Sequence, residues 1–121
     1  MSLDRSTFLE LAATKFPLEE VHLPTLGEGA SVFVRTMSAG ERDRFEEKHL
    51  KLKHRDYRAR IIVACACDSF RNPLFDDTDT EKISALPANV VDTIVEAASR
   101  LNGVGGETRE EAAKNSEAGQ D

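Results

Sequence analysis

The sequence predicts an α+β fold, mainly α-helical: a small N-terminal helix and a β-hairpin, then a bundle of three to four helices and a disordered C-terminal tail. Three observations carry that expectation. Apolar residues recur at helical spacing, most regularly at Val90, Val91, Ile94, Val95, Ala98 and Leu101. Strict apolar–polar alternation is confined to residues 20–37. From residue 104 onward there is almost no large apolar side chain to repay the entropy of ordering the backbone. One folded domain over residues 1–103 and a flexible polar tail over 104–121 follow.

Residues 4–15 read as the first helix, with Phe8, Leu11 and Ala12 on one face and Asp4 or Ser6 as its cap. Pro17 stops it. Val21 and Leu23 then alternate with His22. After the glycine-containing loop "TLGEGA", the run "SVFVRTM" alternates again, with Val32, Val34 and Thr36 on one side and Ser31, Phe33, Arg35 and Met37 on the other. Two such runs make a hairpin at about 20–37. A two-stranded hairpin is marginal in water, so it must lean on helices or pair with another chain.

"SAGE" (Ser38 to Glu41) has the form of a capping box. A helical stretch follows to about Cys67, which would be roughly 45 Å long if unbroken. Its apolar stripe is uneven: Phe45 and Leu52 share one face, Leu50 and Tyr57 another, and dense burial starts only at Ile61. The middle of the stretch is therefore exposed, broken or covered by a partner. "SFRNPLF" turns the chain. Thr78 and Glu81 are spaced as a second capping box opening a short helix that ends near "ALP". The last helix runs from Pro87, suited to a first helical position, to Leu101, with Asn102-Gly103 as its stop.

Composition narrows the function classes. The 121 residues carry a net charge of −6, which opposes unselective nucleic-acid binding by the whole chain. The longest apolar run, "IIVACAC", has seven residues, too few to span a bilayer. "MSLDRSTFLELAA" lacks a basic segment followed by an apolar one, so no secretion signal is expected. Two cysteines, Cys65 and Cys67, fit a reducing cytoplasm.

No chemical constellation closes. In "LFDDTDTEKI", a calcium loop starting at Asp77 would need Gly and Glu where Lys82 and Ala88 stand; one starting at Asp76 meets Glu81 and Pro87. The acids suit a helix start better. Cys65 and Cys67 on a helix would lie about 200° apart and could not chelate together. Buried, inert thiols are the simpler reading, although His49 or His54 could in principle assist a reactive one. "NGVGG" follows a helix instead of opening one, so it is a stop and not a phosphate cradle. No catalytic residue, metal ligand or cofactor is expected.

The sharpest charge feature is "KHLKLKHRDYRAR", residues 48–60, with six Lys or Arg, two His and one acid. It reads as a solvated helix face, or as an electropositive patch for an acidic partner or for nucleic acid. A single Tyr offers little stacking surface for bases. Phe45, Leu50, Leu52 and Tyr57 are the candidate partner contacts, set against ordinary packing on the last helix. Lys51, Lys53, Arg55 and Arg58 would steer an acidic partner.

The order of these pieces resembles the tail assembly chaperones of long-tailed bacteriophages and prophages. "EEVHLPTLGEGASVFVRTMSAGERDRFE" is similar to their opening hairpin and the start of their first long helix. "IIVACACDSFRNPLFDDTDTEKISALPANVVDTIVEAASRLNG" is similar to their central and final segments, most of all in "PLF", the acidic helix start, "LPANVVD" and "RLNG". "EEAAKN" extends the likeness, which covers about residues 5–115. The family often has an Asp-x-x-Gly turn before the Leu-Phe pair, where this chain has Arg71 and Asn72.

The resemblance implies a non-catalytic protein of the bacterial cytoplasm, absent from the mature virion. It would bind the helical, aggregation-prone tape-measure protein and recruit tail-tube protein, and the family often adds a frameshifted longer form. Self-association follows from exposed apolar or strand-edge surface. Other readings left open are a different small morphogenesis protein, such as a tail terminator or connector, and a regulator that binds nucleic acid through residues 48–60.

Overall fold

The structure, a computed structural model, describes residues 1–103; the expected polar tail lies outside the described residues. The architecture is α+β and mainly helical, with five α-helices and one three-stranded antiparallel sheet among the described residues.

Helix α1 (Arg5–Ala12) is capped by Asp4, whose carboxylate accepts from Thr7 N–H at 2.8 Å. That contact selects Asp4 over Ser6 and places the start of the helix as expected; the helix ends three residues early, in a turn. No residue of α1 is buried, so the face made by Phe8, Leu11 and Ala12 stays in solvent.

Strands β1 (Leu18–His22) and β2 (Ser31–Arg35) form the hairpin, in a register that pairs Leu18 with Arg35 and His22 with Ser31. Gly29 closes the loop with a φ of 78°, a left-handed conformation that costs glycine little. Since Val21 faces Val32 and Glu19 faces Val34 across the ladder, these four share one side of the sheet.

Beyond β2 come α2 (Ala39–Lys51), α3 (Tyr57–Cys65), α4 (Thr80–Ser84) and α5 (Ala88–Asn102). The "SAGE" capping box forms as its spacing demands: Glu41 N–H donates to Ser38 Oγ at 3.2 Å, and Ser38 N–H to Glu41 Oε1 at 2.9 Å. Helix α5 covers the valine side of the sheet, and Arg100 reaches Glu19 at 2.9 Å. Ile61, Ile62 and Cys65 from α3 interlock with Val91, Ile94, Ala97 and Ala98 from α5 over Val34, and Ile83 of α4 closes one side.

Three local expectations are corrected. The 38–67 stretch breaks at residues 52–56, one of the readings its uneven stripe allowed, but its helix does not reach Cys67: Ala66–Cys67 leave it to form β3. Ala66 pairs with Val34 and Cys67 with Phe33, so the hairpin's partner is a strand of its own chain as well as a helix. A short continuous apolar run such as "IIVACAC" has no period to separate buried helix from buried strand. The second capping box is built two residues earlier, by Asp76 and Asp79 around a 3-10 turn at Asp77–Asp79, because the Asp76 carboxylate is a charged acceptor for Thr78 N–H. Pro87 caps α5 instead of starting it.

One side chain ties the ends of these elements. Asn102 Oδ1 accepts from Met37 N–H at 2.7 Å, and its Nδ2 donates to Arg35 O at 3.1 Å and Ala98 O at 3.0 Å. Arg42 donates to the carbonyls of Asn102 and Gly103, each at 3.0 Å. Arg35 in turn forks onto Glu41 at 3.2 and 2.8 Å. That guanidinium, with Ser38 N–H, holds the Glu41 carboxyl down at about 2.

Two outcomes follow. Asn102→Ala strands Met37 N–H and Arg35 C=O, and should lower unfolding free energy by about 2–3 kcal/mol, read from urea midpoints at unchanged slope. Glu41, with its folded value depressed, stabilises fully above its ordinary 4.5, and that contribution is lost as pH falls through about 2. Glu41→Gln should therefore flatten the acid limb of a stability–pH profile across that window.

Candidate functional site

The partner-contact candidates all lie between the middle of α2, where Phe45 stands, and the start of α3, across the 52–56 break. The break is built by the backbone. Leu52 ends α2, and Lys53, His54 and Asp56 adopt φ values of 54°, 63° and 54°. Left-handed backbone costs a non-glycine residue about 1–2 kcal/mol, least for Asp and His. Turn hydrogen bonds hold it: Lys53 N–H to Leu50 O, His54 N–H to His49 O and Arg55 N–H to Leu52 O, at 3.0, 3.0 and 3.1 Å.

The eight candidates divide by environment. Phe45 and Tyr57 are half-buried and meet edge-on, with centroids 6.1 Å apart, and Phe45 packs on the core. They do structural work at this junction. Leu50 and Leu52 are 65% and 42% exposed and offer the apolar surface that the uneven stripe suggested. Lys51 pairs with Glu47 at 3.3 Å and Arg58 with Asp92 at 3.2 Å, so both are partly neutralised. Lys53 and Arg55 project into solvent without an ion pair among the described residues.

A cleft of about 410 Å³ opens next to this surface, lined by Tyr57, Ala59, Ile83, Leu86 and Val91, with Asp56 and Arg58 among its polar walls. It is suited to an apolar side chain from a partner. A second apolar feature lies at the 68–72 turn. The Asp68 carboxylate accepts from Phe70 N–H at 2.8 Å and from Asn72 N–H at 2.9 Å, and Arg71 takes a φ of 70°. Arg71 and Asn72 thus still make a closed turn, which leaves Phe70 84% exposed at its tip.

The remaining groups have structural roles. Both thiols are buried and free; burial pushes Cys65 up to about 12 and Cys67 in the same direction, which holds them protonated. Asp76 and Asp79 are spent on the cap, and Asp77 pairs with Lys48 at 2.9 Å. Among the described residues, no group of three or more His, Cys, Asp or Glu is placed to hold a metal ion, and no helix is long and apolar enough to cross a membrane.

The fold is similar to that of the bacteriophage HK97 tail assembly chaperone. The TM-score is 0.58 at 21% sequence identity, over 84% of this chain and 99% of that one. No protein-family profile and no curated protein matches the chain.

Sequence reasoning missed three parts of this region. The first is a polar chain that runs from buried Arg60 through half-buried His49 to exposed His54; its trace in the sequence is two histidines five apart in a basic run, read there only as charge. The second is the cleft, which needs α4 brought against α3. The third is the Phe70 turn, which is set by Asp68, two residues before it.

Truncation should separate packing from display. Phe45→Ala should cost about 2–4 kcal/mol in chemical denaturation, whereas Leu50→Ala and Leu52→Ala should each stay within about 0.5 kcal/mol of the parent.

Proposed function

We propose that this chain is a non-catalytic tail assembly chaperone of a long-tailed bacteriophage or prophage, acting in the bacterial cytoplasm and absent from the finished virion. One observation carries the reading: the whole of the HK97 chaperone chain, 99% of it, finds a counterpart in this fold. The surface supports it. A chaperone needs apolar groups displayed to a client and kept out of its own core, and Leu50, Leu52 and Phe70 are displayed in that way.

In this reading the clients are the tape-measure and tail-tube proteins. A helical client would lay its apolar stripe along Leu50 and Leu52 and seat a side chain in the adjoining cleft. Lys53 and Arg55 would speed encounter with an acidic client more than they would hold it. The open outer edge of β1 and the bare face of α1 would serve self-association.

Co-expression with the tape-measure and tail-tube proteins encoded nearby tests the proposal. The tape-measure protein should become soluble and co-purify with the chain. Leu50→Glu/Leu52→Glu should reduce its recovery at least about tenfold without unfolding the chaperone. Persistent insolubility and no co-purification with a folded parent chain would overturn it.

A further inference from the structure

The α2–α3 junction holds a polar chain whose proton positions are dictated by its geometry. Arg60 is 8% exposed, and its guanidinium points back at the end of α2. Its Nη1 donates to Lys48 O at 3.4 Å, and its Nη2 lies 2.7 Å from His49 Nδ1. A guanidinium is a permanent donor, so His49 Nδ1 must accept. The His49 proton is then on Nε2, which lies 2.6 Å from His54 Nδ1. His54 must therefore accept at Nδ1 and carry its own proton on Nε2. The sequence of donors runs Arg60 to His49 to His54, and it closes only when both imidazoles are neutral.

We propose that this junction is an acid-sensitive latch. A proton added at His49 Nδ1 sets an N–H against the Arg60 guanidinium; one added at His54 Nδ1 sets it against His49 Nε2–H. Either event replaces a hydrogen bond with a repulsion between like charges or like dipoles. The chain spans from α3 across the end of α2 to the left-handed residue His54.

The surroundings sharpen the effect. Phe45 stacks on His49 at 6.1 Å and Tyr57 tilts over it at 4.7 Å, so solvent screens a new charge on half-buried His49 less than one on exposed His54. The charged neighbours are Glu46, Lys48 and Lys51 on α2, Lys53, Arg55 and Asp56 in the break, Arg58 and Arg60 on α3, and Asp77 against Lys48. Of these, Asp77, Asp56 and Glu46 have partners of their own: Lys48, Ser84 and Arg42. Opening the latch frees the strained break and with it the placement of Leu50 and Leu52. The latch stands on this geometry alone, whatever the client of that surface.

Amide hydrogen exchange on the full chain tests it, with rates divided by the intrinsic rate at each pH. Protection at the hydrogen-bonded amides of Lys53, His54 and Arg55 should fall about tenfold or more between about pH 7.5 and 5.5, the range in which imidazoles charge, while amides of α5 hold theirs. His49→Gln/His54→Asn keeps an acceptor toward Arg60 and a donor toward residue 54 but cannot titrate; its protection should be flat, and His22→Gln should behave as the parent. Unchanged protection in the parent, or an equal loss in the double variant, overturns the latch. If the double variant does not fold, imidazole 15N spectra of the parent at high pH decide: Nε2–H tautomers on both His49 and His54 support the latch, and an Nδ1–H tautomer on either one overturns it.

Discussion

The Asn102 carboxamide is the contact on which the rest of the structure depends. It sits at the last turn of α5 and satisfies backbone groups at the point where β2 ends and α2 begins. Neither group has a partner in its own element there: Met37 lies past the ladder and Arg35 is its last residue. A buried polar group without a partner costs about 1–3 kcal/mol, so this one amide sets the distance between helix and sheet. Arg42 and the Arg35–Glu41 fork repeat the linkage from the helix side. The apolar interlock of α3, α5 and the sheet supplies the bulk of the stability, and this polar node decides which packing of those layers is the native one.

Exposed apolar surface is what remains once that core is closed. Helix α2 contributes no buried residue and touches the core through half-buried Phe45, and it is held at its surface by ion pairs such as Arg35–Glu41 and Lys48–Asp77. The break behind it holds three left-handed residues that no glycine relieves. Strain of this kind persists only where the surroundings over-determine it. Here the turn hydrogen bonds and the histidine chain do so, and the apolar leucines beside them are presented from a fixed position at the end of a helix.

Much of the fold was legible in the sequence, and the failures share a cause. Periodicity located α5, the hairpin and α1, and the spacing of Ser38 and Glu41 located the start of α2, because those signals are local. The two-residue strand at Ala66–Cys67 was not legible: it exists only because β2 offers an open edge, and its residues suit a buried helix equally well. The second cap moved from Thr78 to Asp76 because both types cap well and only geometry chooses between them. At the candidate site, the sequence marked Leu50 and Leu52 as apolar with no covering stripe, which is how they stand. It could not tell them from Phe45 and Tyr57, whose burial depends on a chain reversal that sequence spacing does not encode. The tie between Arg60 and His49 crosses that same reversal.

The bare α1 helix has a thermodynamic consequence of its own. Eight residues make little more than two turns, well below the length at which an isolated helix holds together in water. The Asp4 cap satisfies one orphan N–H at its start, and no buried side chain adds to it. The N-terminal segment therefore melts and re-forms on its own, at a free energy near zero, while the core beyond Pro17 unfolds as a separate cooperative unit. A helical content measured over the whole chain will drift with temperature long before the core transition, and that sloping baseline belongs to α1.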